Sequence, residues 1–232
     1  MRLLLLSNST NFGEGFLDHA AAEIDSFLGP ARRVLFVPFA LRDQHAYWEQ
    51  VRARLGRIGR QVECLRADSS GPSLIEAAAA VFIGGGNTFR LLSLLQKTRV
   101  LDPLRRKIRD GIPYIGSSAG TVVAAPTLMT TNDMPIVEPE SFESIGLVPF
   151  QINCHYVDAD PASRHMGETR ELRIEQFLEE NEIPVLGLRE GGWVRVEGTR
   201  VSLGGRSGAR LFRRGLPPEE FAAGSDLSFL LV

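Results

Sequence analysis

The chain has 232 residues, 44% of them hydrophobic, and balances 26 basic against 28 acidic side chains for a formal net charge of −2. That length can bury a full core, and charge spread so evenly leaves no basic face for nucleic acid or an anionic membrane. Small-molecule partners are therefore expected, with monomer and homodimer both open.

In chain order, Met1-Arg2-Leu3-Leu4-Leu5-Leu6 begins like a signal peptide but stops at Ser7-Asn8-Ser9, short of the roughly 7–15 apolar residues such a segment needs. No stretch approaches the about 20 apolar residues of a membrane span, so a cytoplasmic protein is expected. Leu3 to Leu6, Val34 to Val37, Val62 to Leu65, Val81 to Ile83 and Ile112 to Ile115 are short continuous apolar runs. Such runs predict strands covered on both faces in a parallel sheet. Helical spacing over residues 14–28, 45–58 and 88–96 lies between them. The alternation predicts an α/β fold, a mostly parallel open sheet with helices on both faces, in one catalytic-size domain over 1–232. Ligands then collect at the carboxyl ends of the strands, near the loops after Ser7, Ile83 and Ile115.

Residues 126–150 hold four prolines and predict loops and short strands over that end. A helix is expected over 168–180, a buried strand over 185–188, and a hairpin over 193–203. The apolar end, Leu227 to Val232, reads as an edge strand. Cys64 and Cys154 sit in strand-like stretches without a second cysteine nearby, which predicts reduced, buried thiols.

Chemistry concentrates at Tyr114-Ile115-Gly116-Ser117-Ser118-Ala119-Gly120. Here a strand-like run meets Gly-x-Ser-x-Gly and resumes as a helix-compatible run, the pattern of a nucleophile elbow with Ser118, not Ser117, at the bend. Gly84-Gly85-Gly86-Asn87-Thr88 also joins strand to helix. Phe89 takes the third glycine's place of a dinucleotide fingerprint and no P-loop Gly-Lys-Ser/Thr follows. An oxyanion hole from the N–H groups of Gly86 and Ala119 remains. Of the four histidines, His19, His45, His155 and His165, only His155 ends an apolar run, which makes it the candidate base. Glu190 and Asp133 are candidate orienting acids that spacing does not rank. No metal-binding spacing or cofactor motif occurs. Arg170 falls in a first helical turn without an i±3 or i±4 acid, leaving a distant carboxylate or a ligand to hold it.

Several blocks together resemble the peptidase E family of α-aspartyl dipeptidases: Leu3 to Thr10, Ile83 to Phe89, Tyr114 to Gly120, Thr130 to Val137, Gln151 to His155, Gly167 to Glu171 and Gly187 to Gly191. The resemblance runs from residue 1 to about 205; Ser117, Cys154, Arg189 and the tail after Gly205 depart from it. It implies a fold like class I glutamine amidotransferases (flavodoxin-like), with serine in place of their cysteine, and hydrolysis of Asp-X dipeptides without a cofactor. It further implies Ser118 as nucleophile, His155 as base, Gly86 and Ala119 as oxyanion donors, Glu190 as orienter and Asp133 as a supporting residue. Arg170, with Asn87, becomes the substrate-binding pair, Arg170 meeting the substrate's side-chain carboxylate. The rivals are a cyanophycinase-like peptidase cutting β-aspartyl-arginine bonds and a non-catalytic α/β module that binds a small carboxylate.

Overall fold

The computed structural model describes residues 1–231 apart from 69, 161, 163 and 165. In its first half each apolar run becomes a strand and each connection carries a helix. The order is β1 (Arg2–Leu6), α1 (Ala21–Leu28), β2 (Arg33–Val37), α2 (Gln44–Gly56), β3 (Gln61–Cys64), α3 (Gly71–Ala77), β4 (Val81–Ile83), α4 (Thr88–Lys97), α5 (Leu101–Arg109), β5 (Pro113–Ser117) and α6 (Ala119–Val122). The second half gives β6 (Gln151–Tyr156), α7 (Arg170–Glu180), β7 (Val185–Arg189), β8 (Gly192–Glu197), β9 (Arg200–Gly205), β10 (Ala209–Phe212), β11 (Glu219–Phe221) and a 3-10 helix, Ser228–Leu231.

The 7-stranded sheet runs β3-β2-β4-β5-β1-β8-β9. Its members from β3 to β1 are parallel, and the β8–β9 hairpin adds antiparallel strands at one side. Strand β1 shows why the sequence reads as continuous leucine. Successive side chains of a strand point to opposite faces. Leu3 and Leu5 share a core with Leu91, Leu104 and Ile108 of α4 and α5. Leu4 and Leu6 share another with Ile24, Phe27, Val51 and Leu55 of α1 and α2. Helices thus cover both faces, and Leu3 to Leu6 leave no position of β1 beyond Arg2 for a polar residue to reach water.

A 4-stranded sheet, β11-β10-β7-β6, stands apart from the first. Ile152, Leu186, Leu188 and Leu211 on one of its faces join the core of Leu3 and Leu5. On the other, Tyr156, Val185 and Phe212 pack against Ile174 and Leu178 of α7. Among the described residues no helix is long and apolar enough to cross a membrane.

Several expectations change. The first helix starts at Ala21, not at residue 14, because local turns capture the preceding segment: Gly15 N–H donates to the Asp18 carboxylate and Leu17 N–H to the Ser9 carbonyl. Side chains that serve the backbone locally compete in this way with helix. Residues 126–150 form no strand of their own, only an isolated bridge between Thr127 and Glu143; their prolines remove ladder donors. The carboxyl-terminal apolar run is the 3-10 helix rather than an edge strand. Asp226 takes the Ser228 N–H and hydroxyl, starting a turn where a strand would continue. Backbone pairing is confined to the residues just before it, with Leu203 N–H donating to Ser225 O and Leu227 N–H to Val201 O.

Candidate active site

Strand β5 ends in a bend whose geometry follows from its glycines. A Cβ on Gly116 would lie 2.6 Å from the Gly120 carbonyl oxygen, and one on Gly120 would collide with the Ile83 carbonyl. Only glycine lets α6 cross back so closely over β4 and β5. Between them Ser118 is held at φ 50°, ψ −109°, a left-handed region costly for a residue with a side chain. Its N–H donates to the Leu6 carbonyl at 3.0 Å, while Thr121 and Val122 N–H groups close on its own carbonyl at 2.8 and 2.9 Å. Ser117, by contrast, is fully buried with its hydroxyl unpartnered.

The candidate base, His155, arrives from the other sheet. The β6–β7 register shifts between Cys154 and Tyr156, and at that bulge His155 adopts φ 53°. A bulge re-aims one side chain of a strand, and here it turns the imidazole to the elbow. Ser118 Oγ and His155 Nε2 are 2.8 Å apart, and His155 Nδ1 and Glu190 Oε1 are 2.6 Å apart. With the proton on Nδ1 donated to the carboxylate, Nε2 is the acceptor for the Ser118 hydroxyl. Glu190 itself is pinned by its neighbours: Ser207 Oγ donates to the Glu190 carbonyl at 2.6 Å, and Gly191 N–H to Asn8 Oδ1 at 2.8 Å.

Asp133 takes a different position. Its Oδ2 accepts from Thr88 N–H at 2.7 Å and from the Thr88 hydroxyl at 2.6 Å, at the amino end of α4 where the helix dipole favours negative charge. It anchors the glycine loop opposite Ser118. Asn87 caps the same helix through Oδ1 to Arg90 N–H and donates Nδ2 to the Met134 carbonyl at 2.9 Å, so both ends of its amide are engaged by protein. Gly86 sits at φ 131°, where a Cβ would lie 2.7 Å from Leu41 and 2.8 Å from the Ala40 carbonyl. A Cβ on Gly85 would lie 3.1 Å from that of Ser118, which measures how near the loop comes to the nucleophile. Ala119 N–H is a first-turn helix donor with no helical acceptor.

Arg170 opens α7, capped by Thr169. Its Nη1 donates at 2.7 Å to the amide oxygen of Asn132, a neutral acceptor where a distant carboxylate was one expectation. Burial, and secondarily Arg173, lower its pKa. Of the remaining histidines, His19 and His45 lie on α1's approach and α2, away from the triad contacts, and His165 lies outside the described residues. Cys154 is buried, its thiol pushed up chiefly by desolvation, and donates weakly to the Ser118 carbonyl at 3.6 Å.

Residues 3–204 match the peptidase family S51. The chain belongs to this family. It is 57% identical to a peptidase E of Streptomyces coelicolor, over 100% of this chain and 95% of that one. It is 47% identical to a probable alpha-aspartyl dipeptidase of Drosophila melanogaster, over 99% and 97%. A solved putative peptidase E from Listeria monocytogenes shares the fold at TM-score 0.67, 23% identity, covering 89% of this chain and 98% of that one.

In this S51 chain Ser118 and His155 open on a groove of about 480 Å³ that they share with Asp133, Gly86, Phe16 and Tyr47. Two contributors escape sequence reasoning. Fully buried Ser7 accepts from His155 N–H at 3.0 Å and donates to the Leu188 carbonyl at 2.7 Å, joining the end of β1 to β6 and β7. Asn132 is the other. Serine after an apolar run gave a signal for Ser7 as a strand end, but not for its partners. Beside the site, the Arg189 guanidinium pairs with Asp158 at 2.6 Å and with Glu220 of β11 at 3.0 Å.

Proposed function

We propose that this S51 chain is a serine dipeptidase that hydrolyses dipeptides with an N-terminal aspartate through an acyl-enzyme on Ser118. The relatives named peptidase E and alpha-aspartyl dipeptidase support the reaction class. The observation that carries the reading is the unbroken line Ser118 Oγ, His155 Nε2, His155 Nδ1, Glu190 Oε1, at 2.8 and 2.6 Å.

In the first half-reaction Ser118 Oγ bonds to the peptide carbonyl carbon as its proton passes to His155 Nε2. The N–H groups of Gly86 and Ala119 receive the oxyanion, where preorganised donors act most strongly. Glu190 holds the imidazole in its tautomer and stabilises the imidazolium. The carbon–nitrogen bond then breaks, and His155 returns the proton to the leaving amine. Water repeats the sequence in reverse: its proton goes to His155, its oxygen bonds to the acyl carbon, and the ester bond breaks with the proton restored to Ser118 Oγ. Asp133 and Asn87 hold the oxyanion loop against α4. Arg170 meets the carboxylate of the N-terminal aspartate in a charge-assisted contact.

A panel of Asp-Leu, Glu-Leu, Asn-Leu and β-Asp-Arg tests the assignment. Asp-Leu is expected to be cleaved best, and Ser118→Ala to lower kcat by about 10⁶-fold. Preference for β-Asp-Arg would move the chain to the cyanophycinase-like reading. Full dipeptidase activity in Ser118→Ala would overturn the serine mechanism.

A further inference from the structure

Asn132 lies in the proline-rich connection between α6 and β6, and both ends of its amide are hydrogen-bonded. Nδ2 donates to the Cys154 carbonyl at 2.7 Å, just before the base. Oδ1 accepts from Arg170 Nη1 at 2.7 Å and from Asn153 Nδ2 at 2.9 Å. The three bonds fix which end of the amide is oxygen.

The arginines around Arg170 are treated differently. Arg173 pairs with Glu168, Arg210 with Glu171, and Arg189 with Asp158 and Glu220. Among the described residues no carboxylate lies within 4.0 Å of Arg170. A half-buried guanidinium is therefore oriented by an acceptor that carries no charge, in a neighbourhood where this chain uses acids freely. A neutral amide fixes the fork while leaving its charge uncompensated, and the stronger ionic partner has to come from elsewhere.

We propose that Asn132 is a specificity-determining positioning residue, which aims Arg170 while reserving its charge for the side-chain carboxylate of the substrate. The inference rests on the reading of this chain as an Asp-X dipeptidase with Arg170 at the aspartate. A built-in carboxylate at position 132 would satisfy Arg170 internally, and an acidic substrate would then have to displace it. Selection against neutral residues follows from the same arrangement, because a neutral side chain leaves the charge desolvated without an ionic partner.

The experiment compares Asn132→Asp, Asn132→Ala and Arg170→Met in the full chain. Four readouts are taken: KM and kcat for Asp-Leu and for Asn-Leu, thermal midpoint, and the rate at which a small neutral fluorophosphonate labels Ser118. Asn132→Asp is expected to raise KM for Asp-Leu about 10-fold or more and to lower the Asp-Leu to Asn-Leu preference by a similar factor. Labelling should stay within about threefold, because that reaction uses the triad and oxyanion donors without Arg170. Asn132→Ala, which loosens Arg170 but adds no charge, should lose less preference than Asn132→Asp. If Asn132→Asp does not fold, the alanine variant decides alone: it must raise KM for Asp-Leu at an unchanged labelling rate.

Equal losses in the aspartate and alanine variants, or labelling that falls in step with Asp-Leu turnover, overturn the proposal and make Asn132 a support of β6 only. Arg170→Met separates the two levels. A preference that collapses in Arg170→Met but survives in Asn132→Asp defeats the role of Asn132 alone. A preference unchanged in Arg170→Met defeats the reading of Arg170 itself.

Discussion

Ser118 and His155 share a backbone state that few residues with side chains occupy, φ 50° and 53° respectively. Each such position costs on the order of 1–3 kcal/mol, and both fall at the hydrogen-bonded pair. The strain at Ser118 is testable apart from catalysis. Ser118→Gly should be more stable than Ser118→Ala by about 1 kcal/mol, read by urea denaturation, since glycine enters this region freely. Equal stabilities would place the strain elsewhere. The two candidate acids separate at the same scale. Glu190→Gln should lower kcat by about 10²–10⁴-fold with little change in thermal midpoint, as for a lost orienting carboxylate. Asp133→Asn should act mainly on stability, by roughly 1.5–3 kcal/mol, because it weakens charge-assisted bonds to Thr88. The Gly-x-Ser-x-Gly spacing made Ser118 legible from sequence. Spacing alone does not rank Glu190 and Asp133, and only the resemblance favours Glu190, because the 2.6 Å contact to His155 depends on the β6 bulge, and a bulge leaves no mark in composition.

At the scale of elements, the elbow is an agreement between β5, α6 and β4. Gly120→Ala would drive a Cβ into the Ile83 carbonyl, and backbone there cannot yield as a side-chain tip can. A loss of roughly 3 kcal/mol or more is expected, with a fall in fluorophosphonate labelling at temperatures where the parent chain is folded. Gly198→Ala, at φ 63° with open space around it, is the comparison and should cost only about 1 kcal/mol. Strands buried on both faces were readable because each apolar run serves two cores. The short α3, opening on Gly71 and Pro72, carries too few residues for a helical period, and α5 hides Leu101, Leu104 and Ile108 among arginines and Pro103. Strands β10 and β11 lie beyond the residues 3–204 that the family model matches. Their partners are set by Arg189 and Arg210 bonding to Glu220 across the sheet, which only the folded arrangement displays.

For the whole molecule, acid sensitivity has a specific contributor in His19. Both ring nitrogens are buried without a hydrogen-bond partner, and desolvation lowers its pKa against the upward pull of Glu14 and Asp18, with Arg206 adding to the lowering. The folded state thus binds this proton less readily than the unfolded chain. Stability from His19 is complete above its ordinary value of 6.5 and is lost as pH falls below it toward the lowered folded value. Unfolding free energies measured from pH 7.5 to 5 should fall more steeply for the parent than for His19→Gln; parallel curves would remove His19 as a cause. Assembly of the site is equally a property of the whole. Ser118 comes from the 7-stranded sheet, His155 and Glu190 from the 4-stranded one or its edge, and the Ser7 hydroxyl ties the two. During translation Ser118 therefore leaves the ribosome before His155, and His155 before Glu190. A nascent chain holds Ser118 without these hydrogen-bonding partners until the second sheet has been made and docked, so the Ser118–His155–Glu190 line exists only in the completed tertiary fold.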